Sequence, residues 1–354
     1  MENDYVDSTY QLPMANKMDV TMKKIYIKKK TRLKAEFQFF MHDFVDACVK
    51  DGFAAKPDLF PSYRWHIRGL CRELLWHGYK FVKQHLPWLM SRKHALMVTA
   101  NGDTVLDNVF PYYGFYDIVP VLWDVWPYTW GRMYAAFEAL DVKTVLVSTS
   151  QVAEMINRET KVRAYWISEG ISSKLYRKGA PLAQREFDVY EMGRRLEKYH
   201  IVLQGMLDSG MINRLQTSNL TKDGTLSSSM SVSNEDFHTL ISRFKIMICF
   251  PQCDTNPQRA GDIETLTQRY WEAMLSGCLM VGRAPKELVD LIGYNPVIDV
   301  DWENPVEQMK DILEHIADYQ SLVDRNYQSA INYADWSKRL PLIAKCLEDA
   351  GYKR

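Results

Sequence analysis

The chain has 354 residues, with 44 Lys and Arg balanced by 44 Asp and Glu, and 47% hydrophobic residues. That length allows two domains with sizeable cores, and the composition excludes collagen-like, mucin-like and wholly disordered classes. The zero net charge hides a split: residues 1–100 carry 17 basic and 10 acidic side chains, leaving 27 and 34 for the rest, so +7 cancels −7.

In chain order, residues 1–21 read as an N-terminal extension, and Met22–Ile27 as an opening strand. Helical periodicity follows at Ala35–Lys50 and Tyr63–Gln84. Short apolar runs predict strands at Ala95–Thr99, Ile118–Trp123, Thr144–Ser148 and Ala164–Ile167, separated by helices at Arg132–Leu140 and Gln151–Arg158. The alternation restarts with strands at Phe187–Met192, Lys245–Phe250, Cys278–Val281 and Pro296–Val300. Its helices are expected at Glu235–Arg243, Thr267–Ser276, Lys286–Ile292 and Pro305–His315.

Buried strands alternating with helices mean parallel sheets covered on both faces. Two such runs meeting near Ser168–Gly179 predict two Rossmann-like halves with a ligand cleft between them. The expected division is 22–170, 171–330 and a C-terminal helical segment, 331–354. Gln216–Asn234, rich in Ser, Thr, Asn and Gly, reads as a loop or insertion.

Six scattered cysteines without a C-x-x-C pair fit reduced, mostly buried thiols. With no signal-like start and no bilayer-length apolar run, a cytoplasmic protein is expected. Lys23–Lys34 holds seven basic residues and no acid. Arg64–Lys93 holds seven more, interleaved with aromatics. Basic, aromatic helices suit an anionic membrane surface, so a peripheral location at its inner face is one expectation and a solvated surface the other. Nucleic acid fits poorly, because no matching motif accompanies the charge.

Dinucleotide, Walker A, H-E-x-x-H and G-x-S-x-G motifs are all missing. Cys249-Pro-Cys253 lacks further ligands for zinc, and Asp299-Val-Asp301 fits turn duty better than metal binding. Trp123 and Trp126 read as core.

The most informative window is Gly261–Val281: a loop, a helix start, an amphipathic helix, a Gly stop and a strand. Thr265 or Thr267 can cap the helix, Gly277 fits a left-handed stop, and the N-terminal amides suit a phosphate. Glu264 stands at the mouth of that site. Glu272 follows eight residues later on roughly the same helical face.

Glu264-x7-Glu272, with Arg269, Ala273-Met274 and Ser276-Gly277, resembles the E-x7-E and R-x-x-E-A-M-x-x-G signature of retaining, metal-independent GT-B glycosyltransferases. More narrowly it resembles the "glycosyl transferases group 1" set (family 4-like) that includes spore-maturation-type bacterial enzymes. Gly193-Arg194-Arg195 with Lys198 resembles the family's Gly-Arg-x-Lys element, with a shortened Arg-to-Lys gap.

The resemblance implies a GT-B fold, two Rossmann-like domains facing across a cleft, with an acceptor half followed by a nucleotide-sugar donor half. It implies that Arg194 or Arg195 with Lys198 holds the diphosphate, that Thr265, Thr267 and Arg269 assist, and that Glu272 takes the ribose hydroxyls. Glu264 would lie near the reacting sugar carbon, and no metal or cofactor would be required, the nucleotide-sugar being a substrate. Asp124 is retained where many relatives carry His-Asp, with Trp123 replacing the His, and Asn101 and Asp103 are acceptor-side candidates by position. Ser168-Glu169-Gly170-Ile171 keeps only the Gly and an aliphatic residue of the family's N-G-V-D boundary string.

The expected activity is retaining transfer of a sugar from a nucleotide-sugar to a glycan or lipid-linked acceptor, in cell-surface polysaccharide or glycoconjugate synthesis. Alternatives are a non-catalytic carbohydrate-binding or scaffold relative, or a sugar-nucleotide epimerase.

Overall fold

The computed structural model describes residues 25–29, 39–57, 70–89, 94–109, 112–217 and 234–352. The extension at 1–21, most of the basic run 23–34, parts of 64–93 and nearly all of the Ser-rich stretch 216–234 lie outside them.

Two parallel sheets of five strands organise the described chain. The first comprises β1 (Tyr26–Lys28), β2 (Ala95–Asn101), β3 (Asp117–Trp123), β4 (Thr144–Val147) and β5 (Arg163–Trp166), neighbours in that same order. Every residue of β2 is buried, which is why the strand opens on the apolar run Ala95–Val98 instead of an alternation. Helices α1 (Phe39–Lys50), α2 (Leu70–His85), α3 (Val105–Val109), α4 (Trp130–Leu140) and α5 (Ser150–Glu159) form the connections. Because the strands follow chain order, this sheet has no switch point among the described residues.

The second sheet contains β6 (Phe187–Glu191), β7 (Leu215–Thr217), β8 (Phe244–Cys249), β9 (Leu279–Gly282) and β10 (Val297–Asp299), in the order β10-β9-β8-β6-β7. Strand order reverses at β6, which pairs with β7 on one side and β8 on the other. A reversal opens a crevice beyond the strands' carboxyl ends, the usual ligand position in such sheets. Here Gly193 and Arg194 follow β6.

Around this sheet lie α6 (Glu197–Asp208), α7 (Asn234–Ile241), the short α8 (Gln252–Thr255) and α9 (Pro257–Ala260), α10 (Gln268–Ser276), α11 (Lys286–Ile292), α12 (Pro305–Glu314) and α13 (Gln320–Tyr333). The sequence reading did not place α6, α13 or β7. β7 has three residues, too few for a pattern, while α6 and α13 run to 12 and 14 and take their conformation from the packing around them.

The C-terminal segment is not a separate layer. After α13 the chain returns to the first sheet, where Trp336 and α14 (Leu340–Asp349) bury Leu340, Ile343 and Leu347 beside Phe44, Val121 and Trp123. Trp123 stacks edge-on against Phe40, Phe44 and Trp336, and Trp126 is also buried, so both tryptophans belong to the interior as expected.

The chain therefore crosses between the sheets twice, and the crossings are bonded together. Ile171 N–H donates to Ala334 O, and Trp336 N–H donates back to Ile171 O. The buried Arg339 guanidinium donates to Ser168 Oγ and to the carbonyls of Ser168 and Glu169, and burial lowers its pKa to about 9.

Candidate active site

Four segments converge at the open ends of the two sheets: Asn101 with Asp124 from the first, Glu169 from the crossing, Arg194 after β6, and the loop and helix from Asp262 to Ser276. Asn101 Nδ2 donates to Asp124 Oδ2 at 2.9 Å. Asp124 has a left-handed backbone, φ 51°, a conformation that costs a non-Gly residue energy and recurs at functional positions. Asp103 turns elsewhere, facing Arg132 at 4.0 Å.

Arg194 keeps solvent access while protein surrounds it, as on the floor of a cleft. This crowding, followed by the neighbouring Arg269 charge, lowers its pKa to about 10, and Asp124 and Glu169 oppose the shift. Arg269 Nη1 donates to Arg194 O at 3.1 Å. Gly193 permits this arrangement: its φ is 67°, and a Cβ there would lie 2.7 Å from Arg269 Nη2. The Arg269 guanidinium thus sits on the Arg194 backbone at the switch point of the second sheet, near enough for its charge to act on the Arg194 guanidinium.

The other expected cations point away. Lys198 Nζ stands 3.5 Å over the Trp302 ring, and Arg195 Nη1 bonds His200 Nε2 at 3.0 Å. His200 in turn contacts the buried Glu191 carboxylate at 2.6 Å. Burial raises the Glu191 pKa, while the His200 charge opposes it, and one Glu191 oxygen has no protein partner.

Helix α10 begins at Gln268, so Glu264 precedes it and shares no helical face with Glu272, contrary to the sequence reading. Thr267 is the residue before the helix, but its side chain makes no cap bond, and Thr265 Oγ1 instead accepts from Thr149 Oγ1 at 3.3 Å. Gly277 ends the helix in the left-handed conformation, φ 69°, as its position implied.

Two of the amides at the helix start expected to meet phosphate already have carboxylate partners. Leu266 N–H donates to Glu287 Oε2 at 2.8 Å, and Gln268 N–H to Glu169 Oε2 at 3.3 Å. A carboxylate is favourable at a helix start for the same reason a phosphate is.

Glu272 is buried inside α10. Tyr176 Oη donates to its Oε1 at 2.8 Å, while Oε2 is buried without a protein partner. Burial raises the Glu272 pKa to about 7 against the opposing Tyr176 bond. An unmatched buried oxygen is costly and implies a missing donor. The Glu264 carboxylate is held by Arg283 and by the Lys286 N–H, the latter at 2.9 Å. Arg283 also pairs with Asp254 at 2.7 Å, and these bonds raise its pKa further.

Sequence reasoning missed two buried carboxylates here, Glu169 and Glu287, and one partly exposed guanidinium, Arg283. Glu169 was read only as boundary. Its carboxyl is buried, and burial, then the Asp124 charge, raises its pKa to about 8. Only its place as the one acid between Ile167 and Leu175 could have marked it. Asp299 and Asp301 have local duties: Asp299 accepts from Asn295 Nδ2 and Asp301 from Glu303 N–H, both at 3.0 Å.

By sequence the chain matches no protein-family model and no curated protein. Its fold is that of solved GT-B glycosyltransferases. HepE of Anabaena in complex with UDP and glucose superposes with a TM-score of 0.56 at 11% identity, over 93% of this chain and 100% of that one. A TarM variant of S. aureus in complex with fondaparinux, alpha-GlcNAc-glycerol and UDP gives 0.51 at 9% identity, over 77% of this chain and 57% of that one. The chain spans 60% of the GtfA/B complex chain that it also matches. At such identities the likeness defines the fold: two parallel α/β halves of GT-B type.

Proposed function

We propose that this protein is a glycosyltransferase that uses a nucleotide-sugar, with a uridine diphosphate sugar as the first donor to try. The observation that carries this reading is the meeting of Arg194 and Arg269 at the switch point of the second sheet, above a helix whose Glu272 keeps one buried oxygen unmatched. Two fixed guanidiniums suit a diphosphate, on which charge builds as it leaves. A ribose hydroxyl would supply the donor that Glu272 Oε2 lacks. The UDP complexes of HepE and TarM agree with such a ligand.

In this reading the bond from the sugar carbon to the diphosphate oxygen breaks as an acceptor hydroxyl attacks from the same face. The hydroxyl proton passes to the departing phosphate, and configuration is retained. Arg194 and Arg269 neutralise the leaving group, so turnover is expected to survive EDTA. Asp124, fixed by Asn101, faces the transferred sugar or the acceptor hydroxyl, and Glu264 borders the sugar. The division of labour assigns the acceptor to the first half, residues 22–170, and the donor to 171–330. A cytoplasmic place in polysaccharide or glycoconjugate synthesis remains part of the proposal.

A membrane-facing acceptor half has its own support. No helix among the described residues is long and apolar enough to cross a membrane. Yet α2 and the turn after it expose Leu74, Phe81, Trp88 and Leu89, with Trp88 74% exposed, beside Lys80. Binding to vesicles containing anionic lipid at low salt, lost on Trp88→Ser with Phe81→Ser, tests this part.

The main test is calorimetric titration with UDP, followed by a UDP-sugar panel with product analysis. Glu272→Gln should weaken UDP binding about tenfold, a change of about 1.4 kcal/mol. Wild-type protein that ignores UDP and every donor offered would sink the reading. A non-catalytic relative is the second reading, favoured by Glu264 being engaged by Arg283 and Lys198 by Trp302. Tight donor binding without product or free nucleotide would select it.

A further inference from the structure

The start of α5 lies in the first half, yet its bonds go to the second. Glu287, at the beginning of α11, is 4% exposed, and its two carboxylate oxygens serve different halves. One accepts from Ser150 N–H at 2.6 Å, and the other from Leu266 N–H at 2.8 Å. Gln151 uses both ends of its amide: Oε1 accepts from Glu264 N–H at 2.7 Å, and Nε2 donates to Asp262 O at 3.2 Å. Thr149 meets Thr265 beside them.

Chemistry makes these bonds conditional on the halves being together. The first amides of a helix lack partners within it, and Thr149, the residue before α5, supplies no side-chain cap. The cap comes from Glu287 across the cleft. A buried carboxylate is expensive unless it is fully bonded, and Glu287 gains one of its two donors only from the first half. On the far side of the loop, Arg283 and the Lys286 N–H hold the Glu264 carboxylate. Glu264 is therefore held from both halves, by its backbone from one and by its side chain from the other.

We propose that the start of α5 is a clasp, with Gln151 and Glu287 as positioning residues that make closure of the two halves and placement of the Glu264 loop one event. This rests on the donor-site reading above, since it gives the Glu264 loop its purpose. Ligand bound at Arg194 and Arg269 then tightens bonds at α5, an element of the other sheet, which is a coupling free energy between two places in the fold.

Residue-resolved amide exchange of the full chain, with and without UDP, tests the clasp. In wild-type protein UDP should slow exchange at Ser150, Glu264 and Leu266 at least threefold. Gln151→Ala should speed Glu264 exchange at least tenfold while the UDP dissociation constant moves less than threefold. Gln151→Glu restores an acceptor for the Glu264 N–H and should return most of its protection, a rescue that general loosening would not produce. Glu287→Gln should abolish the UDP response at Ser150. The inference is overturned if UDP leaves Ser150 unchanged in wild type, or if Gln151→Ala speeds exchange equally throughout β8 and β9. Failure of wild type to bind UDP is a different result: it removes the donor-site reading, and the clasp's purpose with it.

Discussion

Asn101 donates its side-chain amide to the Asp124 carboxylate at 2.9 Å, and Asp124 receives it from a left-handed backbone at the end of β3. The strain and the bond act together. One places the carboxylate beyond the strand, and the other stops it from turning, so the first half presents one oriented acid toward Arg194 and Glu169.

Asp124→Asn keeps the size of the side chain and tolerates the left-handed backbone, but removes the charge. Steady-state kinetics should show turnover reduced at least tenfold, with the melting temperature within a few degrees of wild type. Asp124→Gly relieves about 1 kcal/mol of backbone strain, so it should melt no earlier than wild type while losing activity equally.

Glu169, Glu272 and Glu287 have pKa values raised by burial to about 8, about 7 and about 7. The sign follows directly: between the ordinary carboxylate range and these values, the folded chain holds protons that the unfolded chain has released. Unfolding then releases protons, and stability falls as pH rises. The melting temperature of the ligand-free protein should decline from about pH 5 to about pH 8, and Glu169→Gln should flatten the upper part of that decline. A melting temperature that rises over this interval contradicts the assignment.

Gly193→Ala places a methyl group against Arg269 and forces a side chain onto a left-handed backbone. Displacing Arg269 from Arg194 should weaken UDP binding about tenfold, about 1.4 kcal/mol by calorimetry. The backbone cost should lower stability by about 1 kcal/mol in denaturant titration. Gly210, also left-handed but with open space around it, is the control: alanine there should carry the backbone cost alone.

Trp336→Ala opens a cavity where the returning chain meets α1 and β3. Loss of a large buried aromatic costs about 3–5 kcal/mol. Denaturant unfolding should show that loss, and the site should be disturbed as well, because the Trp336 ring packs against Gly170, the neighbour of Glu169 in the crossing.

Most of the strands were legible because a strand covered on both faces needs an apolar run, whatever lies around it. The run Ala95–Thr99 appears within β2, and Lys286–Ile292 is α11 to the residue. Gly277 was legible for an equally local reason, since its backbone conformation is one that few other residues adopt. The basic residues after β6 were less so. Composition marks Arg194, Arg195 and Lys198 as equals, whereas packing sends Arg195 to His200, Lys198 to Trp302 and only Arg194 to the cleft.

By itself the sequence determined two runs of buried strands with helices between them, a break near Ser168, and a helix carrying Glu272 and ending at Gly277. These follow from burial patterns and backbone preferences that act over a few residues. Tertiary structure alone decided the reversal of strand order at β6, the return of α14 to the first sheet, and the partners of Glu169, Glu264 and Glu287. Those partners are brought together from segments far apart in the chain: Gln151 reaches Glu264, and Ser150 reaches Glu287. No local pattern encodes such pairings, because each depends on where the two halves come to rest against each other. The +7 and −7 of the opening arithmetic are likewise only sums, and the site turns on which individual charges the fold leaves facing one another.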